Sequence, residues 1–209
     1  MDEPPVIIPG LGEAVTRENL LRELAFAGLP ELVCGVELSP LTAAHVLRLS
    51  LAQSPFFAPP PGRDQLLRWL ALGFITETHV GQFLWACSPR YRSDSPWRRR
   101  RFLRSIRRLS VGPACEEIFS FVEESFADKP GGPPEHGPAY WSWLASYVFA
   151  IARSTGWAEA DILDLPLKRG WQYLKLVRLE NDPKAIFFNH YSDRAKADWL
   201  RTVNAGRQS

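Results

Sequence analysis

Residues 140–152 read Tyr-Trp-Ser-Trp-Leu-Ala-Ser-Tyr-Val-Phe-Ala-Ile-Ala. Apolar side chains recur at nearly every step around the helical turn. That pattern predicts a central helix, covered by neighbours on almost every side. The segment is shorter than a membrane span and carries Ser142 and Ser146. Thr155-Gly156-Trp157 ends it, and Ala158 to Leu163 reads as a short helix broken before Pro166. Pro166 suits the first helical position, so a further helix runs from there to Glu180, with Leu167, Gly170, Trp171, Leu174 and Val177 on one face. Trp171 reads as core, with a ligand platform as the alternative. Asn181-Asp182-Pro183 closes this helix, and Ser192 to Val203 reads as a polar amphipathic helix seamed by Ala195, Trp199 and Leu200.

The same reading extends toward the N-terminus. Thr16 caps a helix from Arg17 to Gly28, ended by Gly28 and Pro30. Ser39 and Pro40 open a second helix with Leu41, Ala44, Val46, Leu47 and Leu49 as its buried stripe, and His45 on it reads as an interhelix hydrogen-bonding residue. A third helix covers Asp64 to Leu72. A fourth begins at Thr76 or Thr78, carries Val80, Phe83, Leu84 and Cys87, and closes at Pro89. Ser95 and Pro96 introduce an arginine-rich helix with Phe102, Leu103, Ile106 and Leu109 on its apolar side. Gly112-Pro113 separates it from an acidic helix, Ala114 to about Ala127, with Cys115, Ile118, Phe119, Val122 and Phe126 inward. Strand-like alternation is read only at Val6–Ile8. The predicted fold class is therefore all-α, a single irregular multi-helix bundle with Pro-rich loops. Residues 1–16 are expected to form an extended lead-in and 17–203 the helical domain. The linker 128–138 marks a sub-boundary, and 204–209 a fraying tail.

Composition agrees with a packed chain. The 209 residues include 8 Trp, 12 Phe and 5 Tyr, too many aromatics for a disordered protein. The start lacks a basic, apolar export signal, and the expectation is a soluble cytoplasmic protein. Cys34, Cys87 and Cys115 are odd in number and widely spaced, which argues for buried thiols over a disulfide framework. The four histidines have no metal-ligand spacing, so no metal or cofactor is expected. No Gly-rich phosphate loop, nucleophile elbow or His-Glu helix motif is present, and Glu159, Asp161 and Asp164 are explained as helix-start charge. No catalytic residue and no enzyme activity is expected.

Net charge is +2, but its distribution is uneven. Nine arginines lie between Arg90 and Arg108 against the single acid Asp94, and the following stretch turns acidic at Glu116, Glu117, Glu123, Glu124 and Asp128. Two readings of the arginines stand: phosphate binding on one side, helix-to-helix charge pairing or a solvated face on the other. The other partner-binding candidates are Phe56 and Phe57, which precede Ala58 and three prolines in a rigid loop. They either plug the bundle end or line a partner groove. The candidate partner-binding set is Phe56, Phe57, Arg98, Arg99, Arg100, Arg101 and Arg104.

Three local patterns carry a resemblance. They are Leu38-Ser39-Pro40-Leu41-Thr42 running to Leu49 with Ser54-Pro55-Phe56 after it, then Val80 to Tyr91 with Cys87-Ser88-Pro89, then Trp157 to Leu167 with Leu165-Pro166-Leu167 running into Trp171-Gln172-Tyr173-Leu174. In this order they resemble the tail assembly chaperones of tailed phages and prophages, over about half the chain. The proline insert at 58–61 and the arginine run at 98–101 have no counterpart in that pattern. The resemblance implies a non-enzymatic cytoplasmic factor that binds the tape-measure protein, the tail-tube protein, or both during assembly and is absent from the finished particle. The alternative is a DNA-binding or DNA-packaging accessory protein that uses the arginine helix. The acidic helix beside it speaks against that.

Overall fold

The helix that lies deepest is Glu77–Cys87, where Val80, Gly81, Phe83, Leu84, Trp85, Ala86 and Cys87 are all buried. Its surroundings are seen in the computed structural model of the chain, which describes residues 11–57, 68–91, 95–130 and 142–184, with side chains from residue 16 onward. In chain order the elements are α1 (Leu11–Ala27), β1 (Glu31–Val33), β2 (Val36–Leu38), α2 (Ala43–Leu51), α3 (Glu77–Cys87), α4 (Pro96–Ser105), α5 (Val111–Phe126), α6 (Trp143–Thr155), α7 (Glu159–Leu163) and α8 (Leu167–Asn181). Among the described residues the fold is all-α apart from one two-stranded hairpin. Helix α3 is enclosed by α2, α4, α5 and β2, while α8 packs on α1, α5 and α6. Among the described residues no helix is long and apolar enough to cross a membrane.

Local chemistry explains where the elements start. Thr42 caps α2: its hydroxyl accepts from the His45 backbone N–H at 3.2 Å, and its own N–H donates to His45 Nδ1 at 3.2 Å. His45 thus closes a capping box, the place a Glu or Gln usually takes. Thr76 opens α3 in the same way, donating its N–H to His79 Nδ1 at 3.2 Å. Pro96 occupies the first turn of α4 after Ser95, as the sequence predicts. Gly156 ends α6 at φ 71° and donates its N–H to the Ala152 carbonyl.

The structure corrects several boundaries. Helix α1 begins at Leu11, so 11–16 are helical and do not belong to an extended lead-in. The second helix starts at Ala43 with Thr42 as cap, not at Pro40, because Ser39 is held by a backbone bond to the Cys87 carbonyl at 2.8 Å. Leu41 is buried ahead of that helix, and Leu47 on it is exposed. Gly112 and Pro113 lie in the first turn of α5, where a proline costs no intrahelical bond, so they do not separate it from a later start. The hairpin of β1 and β2 lies where no strand was predicted. Cys34 at φ 54° and Gly35 at φ 71° form its turn, the pair of positive angles a tight antiparallel connection requires.

The helix predicted to be central from residues 140–152 is peripheral. In α6 only Tyr147 and Ile151 are buried, and Phe149 is 65% exposed, so this helix lies at the side of the core. Tyr140, Trp141 and the central linker residues 131–138 lie outside the described residues. So do Val6–Ile8, 58–67 and Ser192–Val203.

One apolar cluster runs through both halves of the chain, from Val33 and Leu38 through α3 to Ile151, Leu167 and Trp171. Across it Trp171 stands edge-on to Tyr147 at 5.1 Å and tilted on Phe126 at 5.8 Å. Asp128, itself buried, forms an ion pair with Lys175 of α8.

Candidate partner-binding surface

The arginine helix is seated by its apolar side. Phe102 is buried, with Leu103, Ile106 and Leu109 half-buried against the core. The seat is close: a Cβ on Gly81 of α3 would lie 2.6 Å from Leu103 Cδ2 and 3.4 Å from Ile106 Cδ1. Glycine at 81 therefore lets α4 approach α3. Once those residues face in, the remaining positions must face out. Arg98, Arg99, Arg100, Arg101 and Arg104 are all exposed.

Among the described residues, none of these five guanidinium groups takes part in an ion pair. Among the described residues no ion pair joins these five arginines to the acidic helix. Glu117 of α5 instead accepts from the Cys34 backbone N–H in the hairpin turn. Four of them, Arg98 to Arg101, crowd the first two turns of α4, toward the positive end of the helix dipole, and the first turn itself contains no acidic residue. Each cation so placed costs roughly 0.3–1 kcal/mol, a cost that an anion bound at this end relieves.

Aromatic rings flank the charges. Trp97 is 67% exposed, and Arg101 Cζ lies 5.7 Å from its ring centre. Trp85 is 4% exposed and packs tilted against Phe102 at 5.3 Å and Tyr91 at 5.9 Å. Between the end of α3 and the start of α4 lies an open cleft of about 640 Å³. Arg90, Arg98 and Arg101 edge it, and Trp85, Trp97 and Phe102 are its rings. Sequence reasoning missed Trp85, Arg90 and Trp97 as parts of this surface. The signal for Trp97 was its place beside Pro96, at the start of a helix whose apolar face lies elsewhere.

The other half of the candidate set points inward. Phe56 is 6% exposed and meets Phe83 edge-on at 5.2 Å, and Phe57 stacks on the same ring at 6.2 Å. Both plug the core next to α3, and Phe56 has no surface left to offer a partner. The prolines after them lie outside the described residues.

Burial pushes the Cys34 and Cys87 thiols up to about 12 and Cys115 to about 11, so all three stay protonated at neutral pH. Burial also lowers His45 to about 4, and its Nδ1 is already occupied as an acceptor. Among the described residues no group of three or more His, Cys, Asp or Glu side chains is placed to hold a metal ion. Comparison of the chain with protein-family models, curated proteins and solved structures returned no match.

Proposed function

We propose that this protein is a non-enzymatic assembly factor of the tail-chaperone type, which binds the tape-measure or tail-tube protein of a phage-like tail and releases it on assembly. It would act in the cytoplasm and be absent from the finished particle. The observation that carries this reading is the outward face of α4, where five exposed guanidinium groups make no ion pair among the described residues and stand beside an exposed tryptophan. Unpaired surface charge of one sign speeds encounter with an oppositely charged partner, and a nearby aromatic ring supplies contact area at low entropic cost. The resemblance in the helix-end motifs at 38–56, 80–91 and 157–174 supplies the identity of the partner class. The test is binding of the purified chain to tape-measure and tail-tube proteins, against a variant with reversed charge at Arg98, Arg99 and Arg100.

A DNA-binding role has one observation in its favour. Trp97 beside Arg101 is also the combination on which a nucleic-acid base stacks. The exposed Glu116, Glu117 and Glu123 of the adjoining α5 oppose a phosphate backbone, and the net charge is only +2. Steeply salt-dependent binding to duplex DNA, with none to tail proteins, is the result that favours it.

A further inference from the structure

The cleft between α3 and α4 specifies its occupant more closely, and this inference rests on the partner-binding role just proposed. Arg98 and Arg101 are three positions apart, so they rise from one side of α4 with Cβ atoms about 5–6 Å apart. Arg90 approaches from the end of α3. Beside them the ring of Trp97 is 67% exposed, whereas those of Trp85 and Phe102 are buried. Two carboxylates one turn apart on a partner helix have the same spacing as these two arginines. An apolar side chain between the carboxylates would reach the Trp97 ring.

We propose that this cleft binds an acidic helical peptide segment, its two carboxylates pairing with Arg98 and Arg101 and its intervening apolar side chain lying against Trp97. Three features favour this occupant. The guanidinium fork takes a carboxylate by two parallel hydrogen bonds. The exposed Trp97 ring offers contact area at low entropic cost. The positive end of α4, with no acidic residue in its first turn, gains an anion. A nucleic-acid backbone would meet the exposed Glu116, Glu117 and Glu123 of the adjoining α5.

The experiment uses the full chain and a fluorescent helix-forming peptide with leucine between two glutamates one turn apart. Its counterparts carry glutamine or lysine at both positions, and a single-stranded oligothymidine is the nucleic-acid probe. The glutamate peptide should bind at least about tenfold more tightly than the glutamine peptide at low salt. Arg98→Glu with Arg101→Glu should abolish that preference and gain affinity for the lysine peptide, a reversal that damage to the fold cannot produce. Arg107→Glu with Arg108→Glu makes the same change in charge outside the cleft and should shift binding by less than about threefold. Equal affinity for glutamate and glutamine peptides, equal loss in both double variants, or binding to oligothymidine alone would overturn the proposal. If tail proteins bind and the acidic peptide does not, the cleft assignment falls and the partner role stands. If the peptide binds and no tail protein does, the cleft assignment stands and the tail reading falls.

Discussion

Trp171 donates its indole Nε1–H to the backbone carbonyl of Ser125 across 2.9 Å, with both residues buried. The bond joins α8 to α5, elements on opposite sides of the central linker. Trp171→Phe keeps a ring in the site but leaves that carbonyl without its donor. The expected loss is about 1–3 kcal/mol in urea denaturation. Leu176→Ala on the exposed side of the same helix should cost less than about 0.5 kcal/mol. Equal losses at the two positions would remove Trp171 from the core.

The contact between Gly170 and Tyr147 predicts a pair of opposite effects. A methyl group at 170 would overlap the Tyr147 hydroxyl and ring, so Gly170→Ala should destabilise by about 1–3 kcal/mol. Among the described residues the buried Tyr147 hydroxyl has no hydrogen-bond partner, so Tyr147→Phe should leave stability unchanged or raise it. Thermal melts of the two variants check both signs.

The orientation of α4 is tested by comparing its two sides. Phe102→Ala empties a buried ring site and should cost about 3–5 kcal/mol. Arg99→Ala should change stability by less than about 0.5 kcal/mol. Ile106 is half-buried at the end of α4, so Ile106→Ala should fall between these values. A denaturant titration in which Arg99→Ala costs as much as Phe102→Ala would mean that the helix is turned the other way.

His45 predicts an acid-sensitive step. Burial, with the charge of Arg48 in second place, lowers its pKa from 6.5 to about 4 in the folded chain. Above pH 6.5 the ring is neutral in both states and its contribution is complete. As pH falls from 6.5 toward 4, the unfolded chain takes up the proton and the folded chain does not, so stability is lost over that window. His45→Gln keeps a capping-box acceptor that does not titrate. Its stability should vary less with pH between 6.5 and 4 than that of the parent chain, measured by urea midpoints across that range.

Much of the helical order was legible because it depends on local signals. Thr76, Ser95 with Pro96, Gly156 and Pro166 mark element ends through their own capping or backbone geometry, and the structure has the boundaries there. The hairpin was not legible, because each strand has three residues and its turn uses Cys34 in a left-handed conformation that cysteine rarely adopts. Which helix lies at the centre was not legible either. Apolar character all round is needed to be covered on all sides but does not bring the neighbours: α3 packs against α2, α4, α5 and β2, whereas α6 packs against α7 and α8. For the candidate surface, periodicity placed the arginines outward, since Phe102 and Leu103 had to face in. It did not decide the direction of Phe56 and Phe57, because a ring beside prolines has the same sequence signature whether it plugs a core or lines a groove. Trp85, Arg90 and Trp97 joined the surface only through the crossing of α3 and α4, a tertiary relationship with no local trace.

The most direct measurement is the association and dissociation kinetics of the chain with purified tape-measure and tail-tube proteins over a range of salt. The account predicts that charge reversal at Arg98, Arg99 and Arg100 slows association, most strongly at low salt, because screening already weakens exposed charges at high salt. Absence of binding to any tail component, together with tight duplex DNA binding that weakens steeply with salt, would contradict it.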